Sequence, residues 1–279
     1  MKQFQYLKQR PQQSKSHPPP PPKPTKIPGV QHIIAVSSGK GGVGKSTVAV
    51  NLALAFEKMN LKTGLLDTDI YGPSVPIMMN LKSQRALANE ANFLIPLRNY
   101  NISCMSIGFM VPEDKPVVWR GPLVMGALQQ MLKQVVWGDL DVLVLDLPPG
   151  TGDTQLTLAQ TAPLSGAVIV STPQDLALAD VIRGANMFKL VDVPLLGIIE
   201  NMSYYHCPNC AHEDHIFGDS GAPKLADQLE IDFLGKIPLN KTIRETTDEG
   251  KPIVVSNPNS PLAQIYIQIA KKIYTKLQQ

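Results

Sequence analysis

The 279-residue sequence has few cysteines, no long apolar run and no acidic residue near its start, and each lack narrows the class of protein. Three cysteines, Cys104, Cys207 and Cys210, are an odd and low number that does not suit the disulfide framework of a small secreted domain. No apolar stretch approaches the roughly 20 residues of a membrane-spanning helix. No secretory leader pattern is present, so the expectation is a chain that stays inside the cell or an organelle, without integral membrane contact. The net charge of +3 is too small to argue for nucleic acid. No acidic residue precedes Glu57, whereas Lys2, Lys8, Arg10, Lys15, Lys23 and Lys26 are basic. That bias is shared with mitochondrial presequences. The scarcity of arginine and the proline tract Pro18–Pro22 fit a disordered basic tail better.

What is present is an ordinary globular composition, 43% hydrophobic and 18% charged. Residues 1–30 read as a tail and linker, with Pro18–Pro22 extended as polyproline II. From residue 31 to 279 short β-branched runs alternate with helical stretches. Strands are predicted at His32–Ser37, Thr63–Asp67, Ser103–Phe109, Asp141–Leu147, Ala167–Ser171, Leu195–Asn201 and Phe233–Ile237. Helices are predicted at Lys45–Met59, Pro122–Val135, Leu176–Lys189, Gly221–Leu229 and Pro261–Gln279. This alternation implies a doubly wound α/β domain with a mainly parallel sheet covered by helices on both faces. Its ligand belongs beyond the carboxyl ends of the strands. The last helix places Leu262, Ile265, Ile269, Ile273 and Leu277 at helical spacing. Packing on its own domain is favoured over a membrane surface.

Gly39-Lys40-Gly41-Gly42-Val43-Gly44-Lys45-Ser46 matches G-x-x-x-x-G-K-[ST], after a strand and before a helix. Glycines let backbone N–H groups turn inward around phosphate oxygens, and the helix N-terminus adds a positive dipole end. Lys45 places a charge on the β and γ phosphates, and Ser46 is positioned to ligate Mg²⁺. Thr47 is placed to bond a further phosphate. Asp67 and Asp69 stand at the end of the second strand, two apart and so expected on one face. Val142–Asp146 is an apolar strand ending in an acid, and Asp146 should hold Mg²⁺ through water. Pro148–Asp153 follows, a glycine-rich turn in which Gly150 can offer its N–H to a γ phosphate. Asp153 is equally suited to capping the next helix. The chain has no N-K-x-D guanine-reading motif, which favours ATP over GTP.

Cys207-Pro208-Asn209-Cys210 lies in a loop, and three chemistries are open. Zinc could take Cys207, Cys210, His212 and His215, at spacing tighter than usual structural sites. A redox pair would normally open a helix. Two thiolates from each of two chains would make the four that a [4Fe–4S] cluster needs.

The phosphate loop, Leu66–Ser74, Trp119-Arg120-Gly121, Asp146–Asp153 and Cys207–Cys210 together resemble the Mrp/NBP35 family of deviant Walker A ATPases, called ApbC in bacteria. The resemblance covers about residues 28 to 279. It implies ATP and Mg²⁺ binding, a weak ATPase activity, and the carriage of a [4Fe–4S] cluster to apoproteins. By the same resemblance Lys40 reaches the partner's nucleotide across a homodimer, Asp67 supports the Mg²⁺ shell, Asp69 positions the attacking water, and Asn201 meets adenine. Lys40, Lys45 and Asp69 are then the candidate catalytic residues. Val118–Gly121, Gly166–Asp175 and His215–Gly218 are nearest the family's mitochondrial branch. That implies a matrix location and a role in assembling respiratory complex I. The rival readings are a MinD/ParA-like positioning ATPase, which shares the loop, and a general bacterial or cytosolic Mrp-type cluster carrier, which would be cytoplasmic.

Overall fold

The structure is a computed structural model that describes residues 24–111, 121–219 and 221–279. The expectations for Pro18–Pro22, for the basic residues from Lys2 to Lys23, and for Trp119 and Arg120 lie outside the described residues.

The chain begins with β1 (Val30–Ser37), α1 (Lys45–Lys58), β2 (Thr63–Asp67) and α2 (Val75–Met78). The short strands β3 (Leu87–Ala88), β4 (Leu94–Ile95) and β5 (Leu97–Asn99) lead to β6 (Ile102–Ser106), α3 (Gly121–Lys133) and β7 (Leu140–Asp146). Then come α4 (Asp153–Thr161), β8 (Gly166–Ser171), α5 (Asp175–Leu190) and β9 (Leu195–Glu200). A hairpin of β10 (Tyr205–His206) and β11 (Glu213–Asp214) precedes α6 (Gly221–Leu229) and β12 (Phe233–Lys236). The chain closes with α7 (Lys241–Asp248), α8 (Ile253–Ser256) and α9 (Pro261–Leu277).

Eight strands form the main sheet in the order β12-β9-β8-β1-β7-β2-β6-β5, parallel except for the β5–β6 pair. Strands of Val, Ile and Leu are buried on both faces, as parallel crossovers require. Register pairs Asp146 with both Val36 and Asp67, which brings the carboxyl ends of β1, β2 and β7 level. Helix α1 is rich in Ala, Val and Leu and is buried nearly all round, between the sheet and α9. Helix α9 starts at Ser260, whose hydroxyl accepts the Ala263 N–H at 3.1 Å, with Pro261 in the first turn. Its Tyr266, Ile269, Ala270 and Ile273 are buried. No helix among the described residues is long and apolar enough to cross a membrane.

Several predicted boundaries shift for identifiable reasons. The strand expected to run to Phe109 stops at Ser106, because the Ser106 hydroxyl accepts the Gly108 N–H and turns the chain into a 3-10 turn. Strand β5 was not expected, since its hairpin turn uses Tyr100 (φ 50°) and Asn101 (φ 61°) rather than glycine. The Tyr100 hydroxyl fixes that turn by donating to the Gly250 carbonyl at 2.7 Å. Packing also begins earlier than residue 31: Ile27 is buried, and the Leu140 N–H donates to the Gly29 carbonyl.

Candidate functional site

The phosphate loop joins β1 to α1 at the level carboxyl ends of the sheet. Gly42 (φ 82°) and Gly44 (φ 78°) take the left-handed conformation that glycine permits. Nothing stands within 4 Å of where a Cβ would sit on Gly41 or Gly42, so the loop opens on a cleft. That cleft, about 250 Å³, is lined by Lys40, Gly41, Lys45, Ser46, Thr47 and Asp69, among others. The sequence expectation that these groups converge is met in space.

Lys45 is buried, and its ammonium pairs with the Asp146 carboxylate and lies 3.2 Å from Ser46 Oγ. The second Asp146 oxygen, Oδ2, is buried without a hydrogen-bond partner. Burial pushes the Asp146 carboxyl above the usual carboxylate range, against the pull of Lys45. A buried acceptor with no donor is costly, and a cation or its bound water would relieve it. The donor set of Ser46 and Asp146 beside a glycine cradle therefore fits Mg²⁺ and a nucleotide phosphate.

Strand β2 ends at Asp67, so strand alternation does not extend to Asp69. Asp67 is fully buried. Its Oδ1 accepts the Asp69 N–H (3.1 Å), and its Oδ2 accepts from Ser74 N (3.0 Å), Val75 N (3.2 Å) and Ser106 Oγ (3.1 Å). Burial, and then the charge of Asp146, raise its carboxyl to about 7. Asp69 is half-buried in the cleft wall, near enough that its charge acts on Asp146.

Gly150 (φ 94°) donates its N–H to the Ser38 carbonyl at 3.0 Å, so a γ-phosphate contact requires that bond to open. Gln155 holds the same turn through Nε2, which donates to Ser37 Oγ (2.6 Å) and to the Pro148 carbonyl (3.3 Å). Asp153 is exposed in the first turn of α4, and no side-chain bond caps that helix. Lys40 Nζ donates to Gln174 Oε1 at 3.3 Å. Asn201 Nδ2 donates to the Val43 carbonyl at 2.8 Å, so its amide holds the phosphate loop. Asn201 also lines a second, more apolar cleft of about 260 Å³ with Met202, Pro238, Leu239 and Arg244. The two clefts share Gly44, Thr47 and Met78 in their walls, which suits a flat base beside a polyphosphate.

Cys207 and Cys210 lie at the tip of the β10–β11 hairpin, Cys210 exposed and Cys207 partly so. The Cys207 N–H donates to the His212 carbonyl and its carbonyl accepts the Ala211 N–H, both at 2.9 Å. Backbone N–H groups of Asn209 and Cys210 lower the Cys207 pKa from the ordinary thiol value. At the hairpin base Glu213 meets His206 Nε2 at 2.7 Å and His215 Nε2 at 3.3 Å. Among the described residues no three His, Cys, Asp or Glu side chains are grouped so as to hold a metal ion. The pair sits on a hairpin and opens no helix, which removes the thioredoxin-like reading. Cys104 is buried, and burial raises its thiol pKa.

Helix α5 touches the phosphate loop and packs on α6. A Cβ on Gly39 would lie 2.6 Å from the Asp180 carbonyl oxygen, and one on Gly221 would lie 3.0 Å from the Pro173 carbonyl oxygen. Glycine at both positions lets the first turns of α5 touch the phosphate loop on one side and the start of α6 on the other. Buried Glu200 fixes α6 as well, accepting the Ala222 N–H at 3.0 Å and the Ser203 hydroxyl at 2.6 Å. Sequence reading missed Ser74, Ser106, Gln155, Gln174 and Glu200. Only the position of Glu200, beside Asn201 at a strand end, was a usable signal.

A glycine loop between a buried strand and a buried helix, with an acid at the end of the neighbouring strand, defines a P-loop NTPase. The model of the ParA family described as NUBPL iron-transfer P-loop NTPase matches residues 29–274, and the chain belongs to that family. It is 58% identical over 253 residues, 90% of this chain and 78% of the relative, to the iron-sulfur cluster transfer protein NUBPL of Dictyostelium discoideum. It is 54% identical over 255 residues, 91% of this chain and 81% of the relative, to an Arabidopsis thaliana iron-sulfur protein required for NADH dehydrogenase, mitochondrial. Among solved structures, the nucleotide-binding protein of Archaeoglobus fulgidus in complex with ADP is 38% identical, with a TM-score of 0.73 over 85% of this chain and 91% of that one. The cell division ATPase MinD of Pyrococcus furiosus is 22% identical, with a TM-score of 0.66 over 88% of this chain and 99% of that one, a likeness of fold alone.

Proposed function

We propose that this chain is an ATP-dependent iron–sulfur carrier that holds a [4Fe–4S] cluster as cargo between two copies of itself and delivers it to apoproteins. The observation that carries the reading is the hairpin. It presents two thiols with no third ligand among the described residues, in a chain whose phosphate loop carries a second lysine. Four thiolates require a second copy of the hairpin. Lys40 then has a role in the same dimer, as a cation reaching the partner's phosphates.

Lys45, Ser46 and the N–H groups of Gly41–Ser46 bind the phosphates, and Ser46 with Asp146 holds Mg²⁺, which when bound neutralises phosphate charge. Asp69 holds and orients the attacking water in a weak ATPase reaction. Asp67 braces the Mg²⁺ side of the cleft by fixing Ser74, Val75 and Ser106. Opening of the Gly150–Ser38 bond is the step by which the Pro148–Asp153 turn senses a γ phosphate. Helix α5, which touches the phosphate loop at Gly39 and packs on α6, carries that change toward the hairpin that precedes α6. Relatives named for cluster transfer and for mitochondrial NADH dehydrogenase support delivery to complex I subunits in the mitochondrion. The positioning-ATPase alternative gains nothing from α9, whose Tyr266, Ile269, Ala270 and Ile273 are buried in a helix that packs on α1.

The test is anaerobic reconstitution with iron and sulfide, followed by incubation with an apo-ferredoxin-like acceptor with and without Mg–ATP. Transfer that depends on Cys207 and Cys210 and changes with nucleotide supports the reading. A protein that takes up no cluster sinks it.

A further inference from the structure

Ser74 holds the position before α2 where a serine hydroxyl ordinarily accepts the amides of a helix's first turn. It accepts none. Asp67 does that work instead, its Oδ2 taking the Ser74 N–H at 3.0 Å and the Val75 N–H at 3.2 Å. The Ser74 hydroxyl oxygen is left buried with no hydrogen-bond partner, in the wall of the phosphate cleft that also holds Lys45, Ser46 and Asp69. A buried hydroxyl without a partner is unfavourable in a finished structure and asks for a ligand. Asp146 Oδ2 is a second such atom at the same end of the sheet. Each is one link from Asp67: Ser74 through its N–H, Asp146 as the register partner on β7. Asp67 itself has no such need, since four protein donors already fill its oxygens.

We propose that Ser74 is a further Mg²⁺-shell residue, whose hydroxyl accepts a hydrogen bond from a water bound to the metal of the Mg–nucleotide, on the Asp67 side of the cleft. Asp67 is then the brace that aims it, by taking over the helix cap and so freeing the serine oxygen. This deepens the nucleotide–Mg²⁺ reading of the same cleft and rests on it.

The experiment uses the full chain, with Mn²⁺ as the probe metal and electron paramagnetic resonance to count free metal. Wild type, Ser74→Ala and Ser74→Thr are titrated with Mn²⁺ in saturating ADP, and ADP binding is measured separately in EDTA. A residue holding a metal-bound water sets metal affinity by roughly 10-fold or more. The expected result is a loss of about that size in Mn²⁺ affinity for Ser74→Ala, recovery in Ser74→Thr, and ADP affinity in EDTA the same for all three. Thermal melting checks folding, and Ser74→Ala should melt no lower than wild type, since it removes an unsatisfied polar atom. Unchanged Mn²⁺ affinity in Ser74→Ala overturns the proposal, as does an equal loss of ADP affinity without metal. Failure of wild type to bind Mn²⁺ with ADP would instead remove the nucleotide–Mg²⁺ reading on which it stands.

Discussion

The side-chain amide of Asn201 donates to the Val43 carbonyl across 2.8 Å, so the strand that leads into the cysteine hairpin also holds the phosphate loop. Truncating that side chain leaves a buried carbonyl without its donor, a cost of about 1–3 kcal/mol. Asn201→Ala should weaken ADP binding by roughly 5- to 150-fold, the factor that energy corresponds to. Calorimetric titration with ADP checks this, and wild-type affinity in the variant would show that the bond does not position the loop.

The buried Asp67 carboxyl makes stability depend on pH in a stated direction. Its folded value, about 7, lies above the ordinary carboxylate value of 3.8, so between those values the folded state binds the extra proton. Stability from this group is therefore highest below about pH 4 and is lost as pH rises through 7, at up to about 1.4 kcal/mol per pH unit. A bound divalent cation favours the ionised form and should flatten the slope. Melting temperatures from pH 5 to 7.5, without ligand and with Mg–ADP, test the difference. A slope as steep with Mg–ADP as without it contradicts the assignment of the cation to this cleft.

Much of this was legible because the phosphate loop and the strand-end acids Asp67 and Asp146 are fixed by local sequence. A strand, a glycine turn and a helix can be read from spacing alone. The network that braces them could not be read that way. Ser106, Gln155 and Glu200 are ordinary polar residues whose partners, Asp67, Ser37 and Ala222, are distant in sequence and meet them only when the sheet forms. The β5 turn escaped because tertiary contact of Tyr100 with Gly250 imposes a conformation that glycine usually supplies. Strand alternation reaches only as far as Asp67, where β2 ends, so it does not by itself place Asp69.

Cys207 and Cys104 should separate by reactivity. Backbone N–H groups lower the Cys207 pKa, whereas burial raises that of Cys104. At a given pH more of Cys207 is therefore thiolate, and thiolate is the reactive form. In cluster-free protein, iodoacetamide should label Cys207 at a lower pH than a free model thiol, and Cys104 only after denaturation. Mass spectrometry of peptides across a pH series decides the matter, and labelling of Cys104 in the native protein would refute the burial argument.

Helix α5 can pass a change at the phosphate loop to the hairpin only while α6 lies close against it. A methyl on Gly221 would stand 2.5 Å from Leu178 Cδ1 on α5 and 3.0 Å from the Pro173 carbonyl oxygen just before it, so the Leu178 side chain or the α5–α6 spacing must shift. Gly221→Ala should therefore leave ADP affinity within about twofold of wild type, since a substitution away from the site usually costs under about 0.5 kcal/mol there. It should reduce the effect of Mg–ATP on the rate at which a chelator removes iron. A nucleotide effect of wild-type size in the variant would take α5 out of the coupling.

The central claim is that two copies share one cluster through Cys207 and Cys210. Native mass spectrometry of the anaerobically reconstituted protein, beside a Cys207→Ala, Cys210→Ala variant, tests it most directly. The account predicts a dimer carrying four iron and four sulfide, and a variant with none. A cluster held by a single chain, or one retained in the variant, would contradict it.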